Sequence, residues 1–333
     1  MKKFTKLFSL ALCSTLLLTA VGCGGNGSSD ASKGGDASDF PKKAITLIVP
    51  SSAGGGTDAT ARALASATEK YMGSSIGVVN KPGGSGAIGM SEGANAKPDG
   101  YTVSMVFVEL TTLNHLGLAP IKYTDFRPIA LVNYDPAAVT VPADAPYNTL
   151  QEFLDYAKAH PGELKVGNAG LGSIWHLAAA SVEKAAGVKF NNVPYEGAAP
   201  AVTALVGGHI DAVTVSPAEV GAQVKAGKLK TLAVMSDTRS ETLPDVPTFK
   251  EAGVEAEPIA TWRGLCVPKD TPDAVVAKLK DAFMKGAQDE EFTKFMKGYG
   301  LGVKLMDDKQ FGDFMKQNDE SFAGLIEELG LKK

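Results

Sequence analysis

The same local pattern occurs twice in this chain and leaves few folds open. Ala44 to Val49 is an apolar run rich in β-branched residues. Pro50 stops it, Gly54-Gly55-Gly56 follows, and Thr57-Asp58 leads into Ala59 to Ala65, a good helix former. Leu164 to Gly167 starts the pattern again, with Asn168-Ala169-Gly170-Leu171-Gly172-Ser173 as the loop and Trp175 to Ala186 as the helix. A buried strand feeding a helix through a glycine turn is the unit of α/β architecture. In open sheets ligands bind beyond the carboxyl ends of the strands, where such loops sit. The first N–H groups of a helix lack an intrahelical acceptor, and with the helix dipole they attract anions. Two such units, one in each half, can place two helix starts around one cleft.

The rest of the chain continues the alternation, which predicts mostly parallel sheets. Strands are expected at Gly77–Asn80, Tyr101–Val108, Ile129–Val132, Ala138–Val141, Val188–Val193, Ile210–Val215, Thr231–Met235 and Ala260–Val267. Thr149 and Glu152 read as a capping box opening a helix that His160-Pro161-Gly162 ends. The last third is helical. Phe292/Phe295/Met296/Tyr299 and Phe311/Phe314/Met315/Phe322/Leu325/Ile326/Leu329 are apolar stripes and are read as core.

Residues 1–22 read as an export signal: Lys2, Lys3 and Lys6 precede an apolar stretch from Leu7 to Val21 that is short for a membrane span. Thr19-Ala20-Val21-Gly22-Cys23 resembles a bacterial lipobox, with Cys23 as the lipidated residue, and residues 23–40 form a Gly/Ser/Asp-rich tether. Losing those three lysines takes the net charge from −4 to −7. An acidic chain without a Lys/Arg block argues against a nucleic-acid partner. Cys13 and Cys23 fall in or at the end of the signal, so Cys266 stands alone between Leu265 and Val267 and reads as a buried strand residue.

Gly54-x-Gly56-x-x-Ala59 fits a dinucleotide fingerprint, but Val79 runs into Asn80-Lys81 where a ribose-binding acid is needed. A nucleotide phosphate loop needs Gly-Lys-Ser/Thr, and here Gly56-Thr57-Asp58 stands. His115, His160, His176 and His209 lack metal-ligand spacing, so no metal and no cofactor are expected. Ser173 reads as a helix cap rather than a nucleophile, and His176 as a helix-start or cleft-lining residue rather than a base. No catalytic residue is assigned. Binding without chemistry fits best: backbone N–H groups of Gly55, Gly56 and Thr57, and of Gly172, Ser173 and Ile174, are the candidate carboxylate donors. Asp58 accepts from an ordered water, fixes its loop or caps the helix.

At these residues the chain resembles the substrate-binding receptors of the tripartite tricarboxylate transporter family, the Bug receptors. The resemblance covers nearly all of 40–333. Its carriers are Ile45–Pro50 with Ala53–Asp58, Asn80–Gly86, Lys97–Thr102, Gly170–His176, Val193–Pro200 and Leu243–Thr248, in the family's order. It implies a two-lobed, type II-like periplasmic-binding-protein fold with the ligand cleft between the lobes. Lobe 1 would be residues 41–136 and 260–333, lobe 2 residues 137–259, with crossings near Asp135–Val139 and Pro258–Trp262. It implies a receptor that passes a small carboxylate to integral membrane transporter subunits; with the lipobox at Cys23 the expectation is a monomeric, extracytoplasmic, lipid-anchored protein. The family's ligand loops map onto Ser51, Ser52, Gly55, Gly56, Thr57 and Asp58, onto Gly170, Gly172, Ser173 and His176, and onto Tyr195, Gly197 and Ala198.

Two departures stand out. Ser51-Ser52 replaces a larger group before the glycine turn, and Glu109 stands where the family tends to carry Gly, Ser or Thr. If Glu109 faces the cleft, the ligand is expected to carry an amine or donor-rich end beside its carboxylate; otherwise Glu109 is turned to solvent. The rival readings are a secreted hydrolase, a dinucleotide-binding oxidoreductase and a structural surface module.

Overall fold

The computed structural model describes residues 39–240, 242–256 and 258–332. The expected signal segment, Cys23 and all but the end of the tether lie outside the described residues. In chain order the strands are β1 (Ile45–Val49), β2 (Ile76–Asn80), β3 (Thr102–Phe107), β4 (Phe126–Pro136), β5 (Ala138–Pro142), β6 (Lys165–Asn168), β7 (Asn191–Pro194), β8 (Ala212–Val213), β9 (Leu229–Val234), β10 (Ala260–Pro268) and β11 (Val303–Met306). The helices are α1 (Gly56–Met72), α2 (Ala87–Ala94), α3 (Leu150–Ala159), α4 (Ile174–Ala186), α5 (Ala198–Val206), α6 (Pro217–Lys225), α7 (Asp273–Gln288), α8 (Glu290–Tyr299) and α9 (Asp308–Glu328).

The strands form two sheets, in the orders β11-β4-β10-β3-β1-β2 and β7-β6-β8-β5-β9. Each is mixed, not mostly parallel. β1 is parallel to both β2 and β3, and β6 to both β7 and β8, whereas β10 runs antiparallel to β3 and β4, and β5 antiparallel to β8 and β9. The cause is the passage between sheets. β4 and β5 carry the chain out of the first sheet, and β10 carries it back in the opposite sense, pairing with β4 along its length. At the crossing the Ala137 N–H donates to the Ile259 carbonyl at 2.7 Å and the Ala137 carbonyl accepts from the Met235 N–H at 2.7 Å. Both glycine loops therefore leave the carboxyl end of a strand flanked by two parallel neighbours, at the equivalent place in each sheet.

The sequence explains these elements locally. β1 buries Ile45, Leu47 and Val49 among Ala61 and Leu64 of α1 and Leu279 and Phe283 of α7. Side chains of this size contribute roughly 1.5–3 kcal/mol each when buried. The other core cluster runs from Val106 and Trp262 of the first sheet to Val166 and Val213 of the second. Trp262 is fully buried, edge-on to Phe311, and its Nε1–H donates to Asn318 Oδ1 at 3.0 Å. Cys266 is buried in β10, and burial pushes its thiol pKa up. The expected capping box at α3 is half formed. Thr149 Oγ1 accepts from the Glu152 N–H, but the Glu152 carboxylate takes the Asn148 N–H instead. The Ile210–Val215 strand is confined to Ala212–Val213. The stripe on α8 is only partly core: Phe292 and Met296 are buried, while Phe295 and Tyr299 stack on each other at the surface.

Candidate functional site

The first loop is braced from behind and open in front. Asp58 is buried and serves as its strut, accepting from the Gly54 N–H at 2.9 Å, from Arg62 Nε at 3.0 Å and from Asn80 Nδ2 at 2.9 Å. Burial alone raises its pKa, but Arg62, the Gly54 N–H and Asn80 outweigh that and hold it below the ordinary value. Asn80, the position at which a dinucleotide site would need an acid, also donates to the Ser51 carbonyl at 3.1 Å. The residue that argued against a cofactor thus shapes the loop. With Asp58 turned backwards, α1 starts at Gly55 without any side-chain cap. Ser51 Oγ is buried and has no hydrogen-bond partner among the described residues.

Beneath this helix start lies Arg263 of β10, which sequence reasoning missed. It is buried, its Nε donates to Thr57 Oγ1 at 2.9 Å, and its Nη1 pairs with Asp135 at 2.9 Å and bonds Asn133 Oδ1. A Cβ added at Gly56 would lie 3.1 Å from Arg263 Nη2, so glycine there lets the guanidinium close on the helix end. A cation at the positive end of a helix dipole is electrostatically costly unless anions balance it. Asp135 supplies one negative charge, and a bound carboxylate would supply another. The signal for Arg263 was present as a lone charged residue inside the apolar run Ala260–Val267. Its partner lies far away in sequence, in β4. Tyr299, read as core, instead donates its hydroxyl to the Gly54 carbonyl at 3.4 Å and sits at the rim of this loop.

The second loop is built the opposite way. The Gly170 N–H donates to Asn168 Oδ1 at 3.1 Å, the Gly172 N–H to His176 Nδ1 at 3.1 Å and the Ser173 N–H to the Gly170 carbonyl at 3.1 Å. Ser173 Oγ accepts from the His176 N–H at 3.3 Å, the cap expected of it. The Ile174 N–H donates to Glu109 Oε1 at 3.2 Å. Glu109 is therefore neither turned to solvent nor free in a cleft. It is buried, it follows β3 of the first sheet, and it caps a helix of the second. Burial pushes its carboxyl up from 4.5 to about 7 against the Ile174 N–H and the Arg263 charge. Gly172 adopts φ +78, and a Cβ there would lie 2.9 Å from Leu116 and Leu118, so the segment after Glu109 packs directly on this loop. Burial lowers the His176 pKa, which keeps its Nδ1 available as acceptor.

Of the other expected residues, Ser52 is exposed. The Tyr195 N–H donates to the Asn168 carbonyl at 3.1 Å, which ties the third loop to the second. Gly197 opens α5 at Ala198 without a side-chain cap. Asn168, not expected as a site residue, is 0% exposed, and its Nδ2 has no partner among the described residues. Glu219 closes a capping box with Ser216 at the start of α6; burial raises its pKa, against the pull of Arg263. Among the described residues no cluster of three or more His, Cys, Asp or Glu could hold a metal ion, and no helix is long and apolar enough to cross a membrane. Two surface cavities, of about 810 Å³ beside Lys43, Ile48, Lys81 and Lys97 and about 440 Å³ beside Tyr134, Phe314 and Leu325, contain no residue of either glycine loop.

Comparison with known proteins agrees with this architecture. Residues 60–331 match the model of the tripartite tricarboxylate transporter family receptor. A Cupriavidus necator relative, the "UPF0065 protein in gbd 5'region", is 34% identical over 300 residues, covering 89% of this chain and 90% of that protein. A TctC solute-binding protein from Polaromonas is 48% identical with a TM-score of 0.72, over 87% of this chain and 99% of that one. Two Rhodopseudomonas palustris proteins are each 27% identical: MatC with bound malate, at a TM-score of 0.79 over 86% of this chain and 100% of that one, and a protein with adipate, at 0.82 over 88% and 99%.

Proposed function

We propose a function that proceeds from one fact: the chain belongs to the tripartite tricarboxylate transporter receptor family. It is an extracytoplasmic solute receptor that closes two lobes over a small carboxylate and hands it to integral membrane transporter subunits. Lobe 1 comprises residues 41–136 and 260–333, and lobe 2 residues 137–259. The passages at Ala137 and between β9 and β10 act as hinges. Lipidation at Cys23 holds the monomeric receptor at the membrane, with residues 23–40 as its tether.

The observation that carries the reading is the start of α1, uncapped and with the Arg263 guanidinium beneath it. The ligand carboxylate accepts from the N–H groups of Gly56 and Thr57, which have no intrahelical acceptor. A helix start contributes roughly 0.3–2 kcal/mol to a bound anion, more where water is excluded. The nucleophile–base pair of a hydrolase finds no support here: Ser173 is committed to the His176 N–H and His176 to the Gly172 N–H. A melting screen against carboxylic acids tests the reading. At a hundredfold excess over its dissociation constant, a true ligand stabilises the fold by about 2.7 kcal/mol. Gly56→Ala, which displaces Arg263, should weaken that ligand while the unliganded protein still folds. An unchanged affinity would remove the first loop from the site.

A further inference from the structure

We propose that Glu109 stands in for the second carboxylate of a ligand at the start of α4, which sets this receptor for solutes with one carboxylate and a neutral, hydrogen-bond-accepting far end. The inference rests on the proposed role of the first loop and adds the class of solute.

Three observations carry it. The first is occupancy. The N–H groups of Gly170, Gly172, Ser173 and Ile174 are all engaged within the protein, the last by the carboxylate of Glu109. A second ligand carboxylate seeking the α4 terminus would have to displace a side chain already buried there.

The second is charge. Asp135 is the ion-pair partner of Arg263, and Glu109 and Glu219 both feel that guanidinium and each other. Asp135 holds the guanidinium directly, and wherever Glu109 is ionised a ligand anion added beside it is opposed by like charge.

The third is the one group in this loop left wanting a partner. Asn168 is completely buried, its Oδ1 holds the Gly170 N–H, and its Nδ2 donates to nothing among the described residues. A buried donor left unsatisfied is costly and selects for an acceptor that approaches it. A hydroxyl or carbonyl oxygen of the solute meets that need without adding a charge near Glu109.

Matched acids test this directly. The dicarboxylates from malonate to suberate are compared by calorimetry with the ω-hydroxy acids in which one carboxylate becomes a hydroxymethyl group. The native protein should bind the best hydroxy acid about tenfold or more tighter than its dicarboxylate partner. Glu109→Gly, which clears the α4 terminus, should reverse the order. Glu109→Gln keeps an acceptor for the Ile174 N–H, and so protects the fold, and should narrow the gap by removing the charge alone. Asn168→Ala should abolish the preference for hydroxy acids over plain fatty acids of equal length. A native protein that prefers dicarboxylates, with the ranking unchanged in Glu109→Gln, overturns the proposal. So does a clear preference for ω-amino acids, which would make Glu109 a cation site. If no acid binds the native protein or any variant, the carboxylate reading of the first loop falls, and this inference with it.

Discussion

The two glycine loops occupy the same place in their sheets and have opposite chemistry. Each leaves a strand flanked by parallel neighbours, β1 in one sheet and β6 in the other, and each opens a long helix. The first helix start has no side-chain cap and a guanidinium beneath it, whereas the second is capped by Ser173 and by Glu109. A glycine loop before a helix is thus not a binding site by virtue of its backbone. Its donors stay free when its side chains turn away, as Asp58 does, and are taken up within the protein when they turn in. On the proposed reading the pair would act as an asymmetric clamp, with one jaw open to an anion and the other closed by the protein's own carboxylate.

The largest expected effect comes from breaking the positive jaw. Arg263→Met leaves Asp135 buried beside Gly302 and Asn133 with no cation, and removing one partner of a buried pair costs about 3–5 kcal/mol. Urea unfolding should show the midpoint falling accordingly, and carboxylate binding should be lost in the folded fraction.

Next in size is the pH response of the negative jaw. The Glu109 carboxyl is raised from 4.5 to about 7 in the folded state, so the folded protein holds that proton more tightly than the unfolded chain. Its contribution to stability is complete below the unfolded value and is lost as pH rises through about 7, a change of up to about 3 kcal/mol. The charged groups facing it are Arg263 of β10 and Glu219 of α6. Melting curves between mildly acidic and mildly alkaline pH should slope downward in the native protein and less steeply in Glu109→Gln, where the raised Glu219 carboxyl still contributes. An unchanged slope in the variant would assign the titration to another group.

The same contrast explains what could be read before the fold was known. The strands and glycine loops at Ala44–Asp58 and Leu164–Ser173 are local patterns, and local chemistry suffices to find them. Ser173 as a cap was legible for the same reason. Arg263 and Asp135 were not, because their meaning depends on two strands that meet only when the chain returns to the first sheet. Glu109 was visible as a departure, but its partner, the Ile174 N–H, belongs to a segment distant in the chain. Phe295 and Tyr299 share the helical spacing of Phe292 and Met296. Periodicity finds such a stripe but not its edge, which falls where α8 stops being covered.

Smaller effects sharpen the comparison. Ser173→Ala removes a cap from the closed jaw and should cost about 1 kcal/mol in stability, read from the unfolding midpoint. Gly55→Asp installs a cap on the open jaw. Gly55 has extended backbone, and the nearest atom to an added Cβ lies 4.0 Å away, so the change fits. Stability should rise by a few tenths of a kcal/mol, roughly the difference between glycine and a polar cap. Affinity for carboxylates should fall, because the new side chain competes for the same N–H groups. Equal affinity in Gly55→Asp would mean that α1 does not hold the ligand.

The most direct test of the asymmetric clamp is a crystal structure of the protein saturated with a carboxylate identified by the melting screen. The account predicts a carboxylate oxygen within hydrogen-bonding distance of the Gly56 or Thr57 N–H, with Glu109 still on the Ile174 N–H. A carboxylate found on Ile174 with Glu109 displaced, and nothing at the start of α1, would contradict it.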